Sequence, residues 1–408
     1  MATILAYTSP ALGHMLPISA LLLELRRRGH RVRLRTLSGC VELGQSLGFD
    51  TDAINPRIEE IALDDWTTTD PRRALKLGVT AFARRAEHEV ADLADAIAAF
   101  RPDALLIDVN CWGALSAAEA GDIPWACFAP YTPPLESPGV PPFGLGLHPL
   151  RGIAGRVRDA VARLVVTKSV ERVMLPPVNA VRADVGLESV GSVDEYLRRA
   201  PLMLVATGKP FQYPQTDWGE TVRMIGPCAL DPGPQTVPDW LAAIDRPIVL
   251  VTTSSERQED TALVRTAITA LADEPVHVVA TLPAGHAEDI TTGSHATVRG
   301  QVPHAVILDR AVCAVTHGGM GATQKALLHG VPVCVVPFGR DQFEVARRVE
   351  VARCGTRLPA KKLSPPRLAA KVRDAMTMAE GARRVAAGFE ATGGVAHGAD
   401  LYEHRCLA

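Results

Sequence analysis

The feature that most constrains this chain is an alternation that begins at residue 3, where short apolar runs take turns with longer segments of helical periodicity. That pattern belongs to a parallel sheet covered by helices on both faces, because crossover helices bury each strand on two sides. TILAY (3–7) reads as a first strand. Ile18, Leu21, Leu22 and Leu25 then stand at i, i+3, i+4 and i+7, with Pro17 in the first turn of the predicted helix and Gly29 at its end, positions that suit Pro and Gly respectively. RVRLRTL (31–37) reads as a second strand and Thr51 to Ile54 as a short third. ALLID (104–108) and WACFA (125–129) are the fourth and fifth, separated by helical stretches at 72–100 and 113–121.

From 131 to 150 the chain is rich in Pro and Gly and reads as a long loop, a length that in compact domains is usually functional or disordered. A second punctuated stretch, 208–240, reads as an interdomain linker. The alternation then restarts with IVLVT (248–252), VHVVA (276–280), ATVRG (296–300), CAVT (313–316) and VCVVP (333–337), and from Ser364 onward only helices are expected. At 408 residues the chain exceeds one ordinary core, so we divide it into a unit at 1–207, a linker at 208–240 about which closure is expected, and a unit with terminal helices at 241–408.

A formal net charge of -2 gives no reason to expect nucleic acid as partner. The eight cysteines are scattered, with no C-x-x-C pair, so neither a zinc site nor a disulfide framework is indicated, and core positions in a reducing compartment suit them. The N-terminus lacks the basic start and long apolar region of a signal peptide, and no apolar run approaches a membrane span. A cytoplasmic protein without stable membrane insertion is expected, as monomer or homodimer. The nicotinamide-type G-x-G-x-x-G, the P-loop, H-E-x-x-H, the nucleophile elbow and acidic metal clusters do not occur, so no metal site is expected.

In a doubly wound sheet of order 3-2-1-4-5, strands 1 and 4 are neighbours and ligands bind beyond their carboxyl ends. His14 follows strand 1 and Asp108 closes strand 4, which brings a carboxylate within reach of one imidazole nitrogen and leaves the other to take a proton. His14 alone would equally suit a cap or loop filler, and Asp108 an N-cap for the helix beginning near Trp112. In the second unit the same geometry sets Ser254 and Ser255 beside His317, Gly318 and Gly319. The turn continues through Gly321 into a helix bearing Thr323. A glycine-rich helix entrance offers free N–H groups and a positive dipole end to a diphosphate, although a plain tight turn has the same composition.

The segment 300–349, GQVPHAVILDRAVCAVTHGGMGATQKALLHGVPVCVVPFGRDQFEVARRV, resembles the nucleotide-sugar box of glycosyltransferase family 1. SPALGHMLP at 9–17 is similar to that family's G-H-x-x-P loop, and ALLIDVNCWGALSAAEAGDIPWACFAP to its strand 4 to strand 5 segment. The resemblance implies the GT-B fold, an α/β architecture of two Rossmann-like doubly wound parallel-sheet domains facing across a cleft, with C-terminal helices. It implies an inverting transferase that needs no cofactor, takes a dTDP- or UDP-linked sugar as co-substrate, and glycosylates a lipophilic natural product. His14 would be the acceptor base and Asp108 its partner. Ser255, Val302, His317, Gly318, Gly319, Gly321 and Thr323 would face base and phosphates, and Asp341 and Gln342 the donor sugar, with a helix N-cap as the plain alternative for Asp341.

Three positions depart from the family pattern. Gln301 replaces a stacking tryptophan, Lys325 a ribose-binding glutamate, and Val345 an asparagine. Lys325 therefore stands open between a donor contact and a solvated lysine. Trp66, Phe82, Trp112 and Phe143 are candidates for the acceptor wall, each also of a type that fills cores, and the 131–150 loop is the candidate acceptor-shaping element. A non-catalytic GT-B protein that binds a ligand or partner, and a sugar-nucleotide epimerase, are the alternatives.

Overall fold

A computed structural model describes the chain except at residues 69, 234–235, 256–259, 285–286 and 288–289. The first sheet has seven parallel strands in the order β3-β2-β1-β4-β5-β6-β7. These are β1 (Thr3–Tyr7), β2 (Arg31–Thr36), β3 (Asp50–Ala53), β4 (Ala104–Asp108), β5 (Trp125–Ala129), β6 (Met203–Val205) and β7 (Val222–Met224). The second has six in the order β10-β9-β8-β11-β12-β13, formed by β8 (Ile248–Thr252), β9 (His277–Thr281), β10 (Ala296–Arg299), β11 (Ala311–Thr316), β12 (Val333–Val335) and β13 (Gly355–Arg357). Both sheets reverse strand order between their first and fourth strands, with Tyr7 paired to Ile107 and Thr252 to Thr316.

Two expectations change here. The stretch 208–240, read as a linker, contains β7, which pairs with β6 through Met203–Val222 and Val205–Met224. Three-residue strands carry too little periodicity to stand out between prolines, and β6, β7 and β13 went unread for that reason. The last helix, Gly394–Cys406, falls within the span assigned to the second unit but packs on the first. Its Ala399, Tyr402 and Cys406 share a core with Ile4, Leu21, Leu25 and Leu204, and Arg28 binds Asp400 at 2.6 Å and Glu403 at 2.7 Å. Tyr402 is wholly buried there, and burying a side chain of that size contributes roughly 2 kcal/mol. The chain end thus holds the units together.

The first helix also begins earlier than expected, at Leu12. Its buried face carries Ile18, Leu21, Leu22 and Leu25, as the periodicity implies. Pro17 lies inside the helix rather than in its first turn, where it cannot donate to the carbonyl of Gly13. His14 consequently sits in the first helical turn, directly above the end of β1. No helix among the described residues is long and apolar enough to cross a membrane. All eight cysteines are buried and unbridged.

Candidate active site

Strand order alone brings the first pair together. Asp108, fully buried at the end of β4, places Oδ2 at 2.7 Å from His14 Nδ1. Its other oxygen accepts the N–H of Asn110 at 2.9 Å, which fixes the carboxylate as the chain leaves the strand. The helix-cap alternative for Asp108 does not hold. The cap residue of helix Trp112–Ala120 is Cys111, and the N–H of Gly113 goes instead to buried Glu89 at 2.9 Å. Burial raises the Glu89 carboxyl to about 8.

Two residues that sequence reasoning missed complete this cluster. Asn110 Nδ2 lies 3.3 Å from His14 Nε2, and the Tyr131 hydroxyl donates to Asn110 Oδ1 at 2.7 Å. The Tyr131 ring meets the imidazole edge-on, with centroids 5.9 Å apart. Burial, with Asp108 and Asp341 adding to it, holds the Tyr131 hydroxyl well above its usual range. A polar residue two positions after Asp108 and a tyrosine just after β5 were the only available signals.

Across the cleft, β11 turns through Gly318, at φ +96°, into helix Met320–Leu328. A side chain at Gly318 would press on Val335 and Gln342 at 3.0 Å, and one at Gly319 would fall 2.4 Å from His317 Nε2, so both glycines make room for the turn. Gly321 faces open space. His317 is nearly buried. Burial lowers it to about 4, with a hydrogen bond from the ring to the Thr252 backbone carbonyl opposing, so the ring is neutral near pH 7. Its Nδ1 is buried without a hydrogen-bond partner among the described residues. Ser255 is exposed, and its Oγ lies 3.9 Å from where a side chain at Gly13 would stand. The loop after β8 therefore reaches the His14 turn. Thr323 is fully buried, with its hydroxyl 3.0 Å from that of Thr316, and it braces the turn from beneath.

Asp341 and Gln342 divide in role. Gln342 is buried, and its Oε1 accepts the N–H groups of Phe338 and Gly339 at 2.7 and 3.0 Å, pinning the preceding loop. Asp341 begins helix Gln342–Val351, but its side chain makes no capping hydrogen bond. Desolvation raises its carboxyl, and His14 lies within electrostatic reach of it. Asp341 thus stands near His14 across the cleft. Its neighbour Arg340 bonds Asp65 twice, at 2.8 and 2.7 Å, which secures the turn bearing half-buried Trp66 against this loop.

The remaining expected positions separate. Trp112 is only 6% exposed and belongs to the core of the first unit. Phe82 packs on its ring with centroids 5.4 Å apart, while Phe143 is half-buried in the 131–150 loop. Val302 packs against the second core and Gln301 is exposed. Lys325 is neither solvated nor free for a ligand, because it pairs with Asp231, which also accepts the N–H of Ala305 at 2.9 Å. Val345 is buried in the core.

Residues 239–393 match the model of the erythromycin biosynthesis protein CIII-like C-terminal domain. The 4'-demethylrebeccamycin synthase of Lentzea aerocolonigenes is 30% identical over 384 residues, covering 89% of each chain. The chain belongs to the antibiotic glycosyltransferases of family 1. Among solved structures, the kitacinnamycin glycosyltransferase superimposes with a TM-score of 0.75 at 23% identity over 99% of this chain and 98% of that one. The spinosyn rhamnosyltransferase SpnG complexed with thymidine diphosphate gives 0.73 at 18% identity, over 98% and 100%. Both likenesses support the GT-B fold. This glycosyltransferase is an enzyme, and its two parallel-sheet units are the two halves of that fold.

Proposed function

We propose that this glycosyltransferase moves a sugar from a dTDP- or UDP-linked donor to a hydroxyl of a lipophilic natural-product aglycone, inverting the anomeric centre without a metal ion. The observation that carries the reading is the His14–Asp108 pair, set opposite Asp341 and the glycine-rich helix entrance. Asp108, an acceptor only, keeps the proton on Nδ1, so Nε2 is the basic nitrogen.

As the acceptor oxygen attacks the anomeric carbon, its proton passes to Nε2. The bond from that carbon to the diphosphate oxygen breaks, and its electron pair leaves with the nucleoside diphosphate. Asp108 stabilises the imidazolium. The N–H groups at the start of helix Met320–Leu328 and the neutral N–H of His317 meet the charge growing on the diphosphate. Asp341 accepts donor-sugar hydroxyls. The rebeccamycin relative and the thymidine diphosphate held by SpnG support this choice of substrates.

The test is release of nucleoside diphosphate with dTDP- and UDP-sugars, with and without EDTA. Turnover is expected to persist in EDTA and to fall roughly a hundred- to ten-thousand-fold in His14→Ala and Asp108→Asn. Full activity in His14→Ala would end the base assignment.

A further inference from the structure

The cluster around His14 extends beyond the carboxylate that holds it, and its hydrogen-bond polarity can be worked out atom by atom. Asp108 only accepts, so Nδ1 of His14 carries a proton and Nε2 of the neutral ring is an acceptor. The group facing Nε2 at 3.3 Å must therefore be the amide nitrogen of Asn110. That orientation turns Oδ1 toward Tyr131, whose hydroxyl donates to it at 2.7 Å. The resting arrangement is consistent at every atom.

Once Nε2 has taken a proton it becomes a donor, and the amide nitrogen would oppose it. Turning the amide over presents Oδ1 to Nε2–H and the NH2 group to Tyr131, whose hydroxyl accepts as well as it donates. We propose that Asn110 and Tyr131 are positioning residues for the acceptor base: a reversible amide relay that keeps Nε2 unprotonated at rest and accepts its hydrogen bond after transfer. The proposal rests on the assignment of His14 as the base. The long Asn110 contact yields readily to an incoming acceptor hydroxyl, whereas the shorter bond to Tyr131 keeps the amide in place to receive the product state.

Among the described residues, the titratable groups that bear on His14 include Asp108 at Nδ1, Tyr131 at its edge and Asp341 from across the cleft. Glu89, Cys111 and Cys127 lie within electrostatic reach of Asp108. Among the described residues, Asn110 faces Nε2 at 3.3 Å as a neutral group that can serve either protonation state. A carboxylate there accepts but cannot donate, so it favours the imidazolium alone.

The experiment follows His14 in the whole enzyme by nitrogen NMR across a pH titration, beside kcat/KM profiles. In Asn110→Asp the His14 midpoint and the acid limb of kcat/KM are expected to rise together by about one unit or more. Asn110→Leu is expected to lower kcat about tenfold with KM unchanged. Tyr131→Phe should lower kcat in the wild-type background and add nothing in Asn110→Leu, as for members of one network. An unmoved midpoint in Asn110→Asp, or full additivity of Tyr131→Phe with Asn110→Leu, overturns the relay. Should Asn110→Asp fail to fold, the additivity result still decides it. If His14→Ala retains transfer, the base assignment falls separately, while the NMR midpoint still reports whether Asn110 governs this nitrogen.

Discussion

Gly146 of the first unit is seated on the start of helix Gln342–Val351 of the second, its N–H donating to Glu344 Oε1 at 2.8 Å. Gly144 donates to the same oxygen at 2.9 Å, and Arg347 reaches the carbonyl of Gly146 at 2.8 Å. A side chain at Gly146 would stand 2.3 Å from the carbonyl oxygen of Phe343, and φ is +55°, so glycine is required twice over. The second oxygen of Glu344 binds Arg348 at 2.7 Å. Arg348 continues to Gln212 at 2.7 Å, and Gln212 to Thr132. The Pro-rich loop expected to shape the acceptor pocket is thereby latched to the helix that begins at the Asp341–Gln342 pair.

Glu344→Ala leaves the buried Arg348 guanidinium without its carboxylate and two loop N–H groups without an acceptor. The expected cost is on the order of 3 kcal/mol, visible as a lowered thermal midpoint. Limited proteolysis should then cut first within 131–150. A variant that keeps both the wild-type midpoint and the wild-type cleavage pattern would show that the latch contributes nothing.

Gly319→Ala places a methyl group where the His317 ring now lies, 2.4 Å from Nε2. The imidazole must move away from the helix entrance, so affinity for dTDP and UDP is expected to fall about tenfold, near the worth of one hydrogen bond. Calorimetric titration measures this. The fold should survive, since the change adds one carbon beside a movable ring. Unchanged affinity would remove His317 from the donor site.

Glu89 links stability to pH. Folding raises its carboxyl from 4.5 to about 8 because of burial, so the folded chain holds a proton that the unfolded chain releases above pH 4.5. Its contribution is most favourable below pH 4.5 and is lost progressively as pH rises toward about 8. His317, lowered from 6.5 to about 4, works in the opposite sense, losing stability as pH falls from 6.5 toward 4. Between pH 6.5 and 8 only Glu89 of the two changes. Glu89→Gln, neutral and still able to accept from Gly113, is expected to flatten the stability slope in that window by about 1 kcal/mol or more relative to wild type. Denaturant unfolding at pH 6.5 and pH 8 checks it, and parallel slopes in the two proteins would contradict the assignment.

Much of the fold was legible in the sequence because long buried parallel strands are continuously apolar and their helices periodic. β1, β4, β5 and β8 fall where the pattern puts them. The glycine-rich turn and the His14–Asp108 pair were legible too, since strand order converts sequence distance into adjacency. The short strands β6, β7 and β13 were not, because their partners rather than their own residues define them.

Which side chains meet was settled only by tertiary packing. Nothing local to Lys325 announces Asp231, nothing local to Trp112 turns its ring into the core, and nothing in residues 394–406 says that Tyr402 will share a core with Leu21 and Leu25. Hydrogen-bond partners and buried faces depend on where distant elements come to rest. The sequence by itself determined the two sheets, their order at the crevice, and the histidine and carboxylate that meet there. Only the folded chain decided that Asn110 would stand at Nε2 of His14 with Tyr131 bonded behind it, and that Glu344 would tie the 131–150 loop to the opposite unit. Those contacts span elements that the backbone pattern leaves independent.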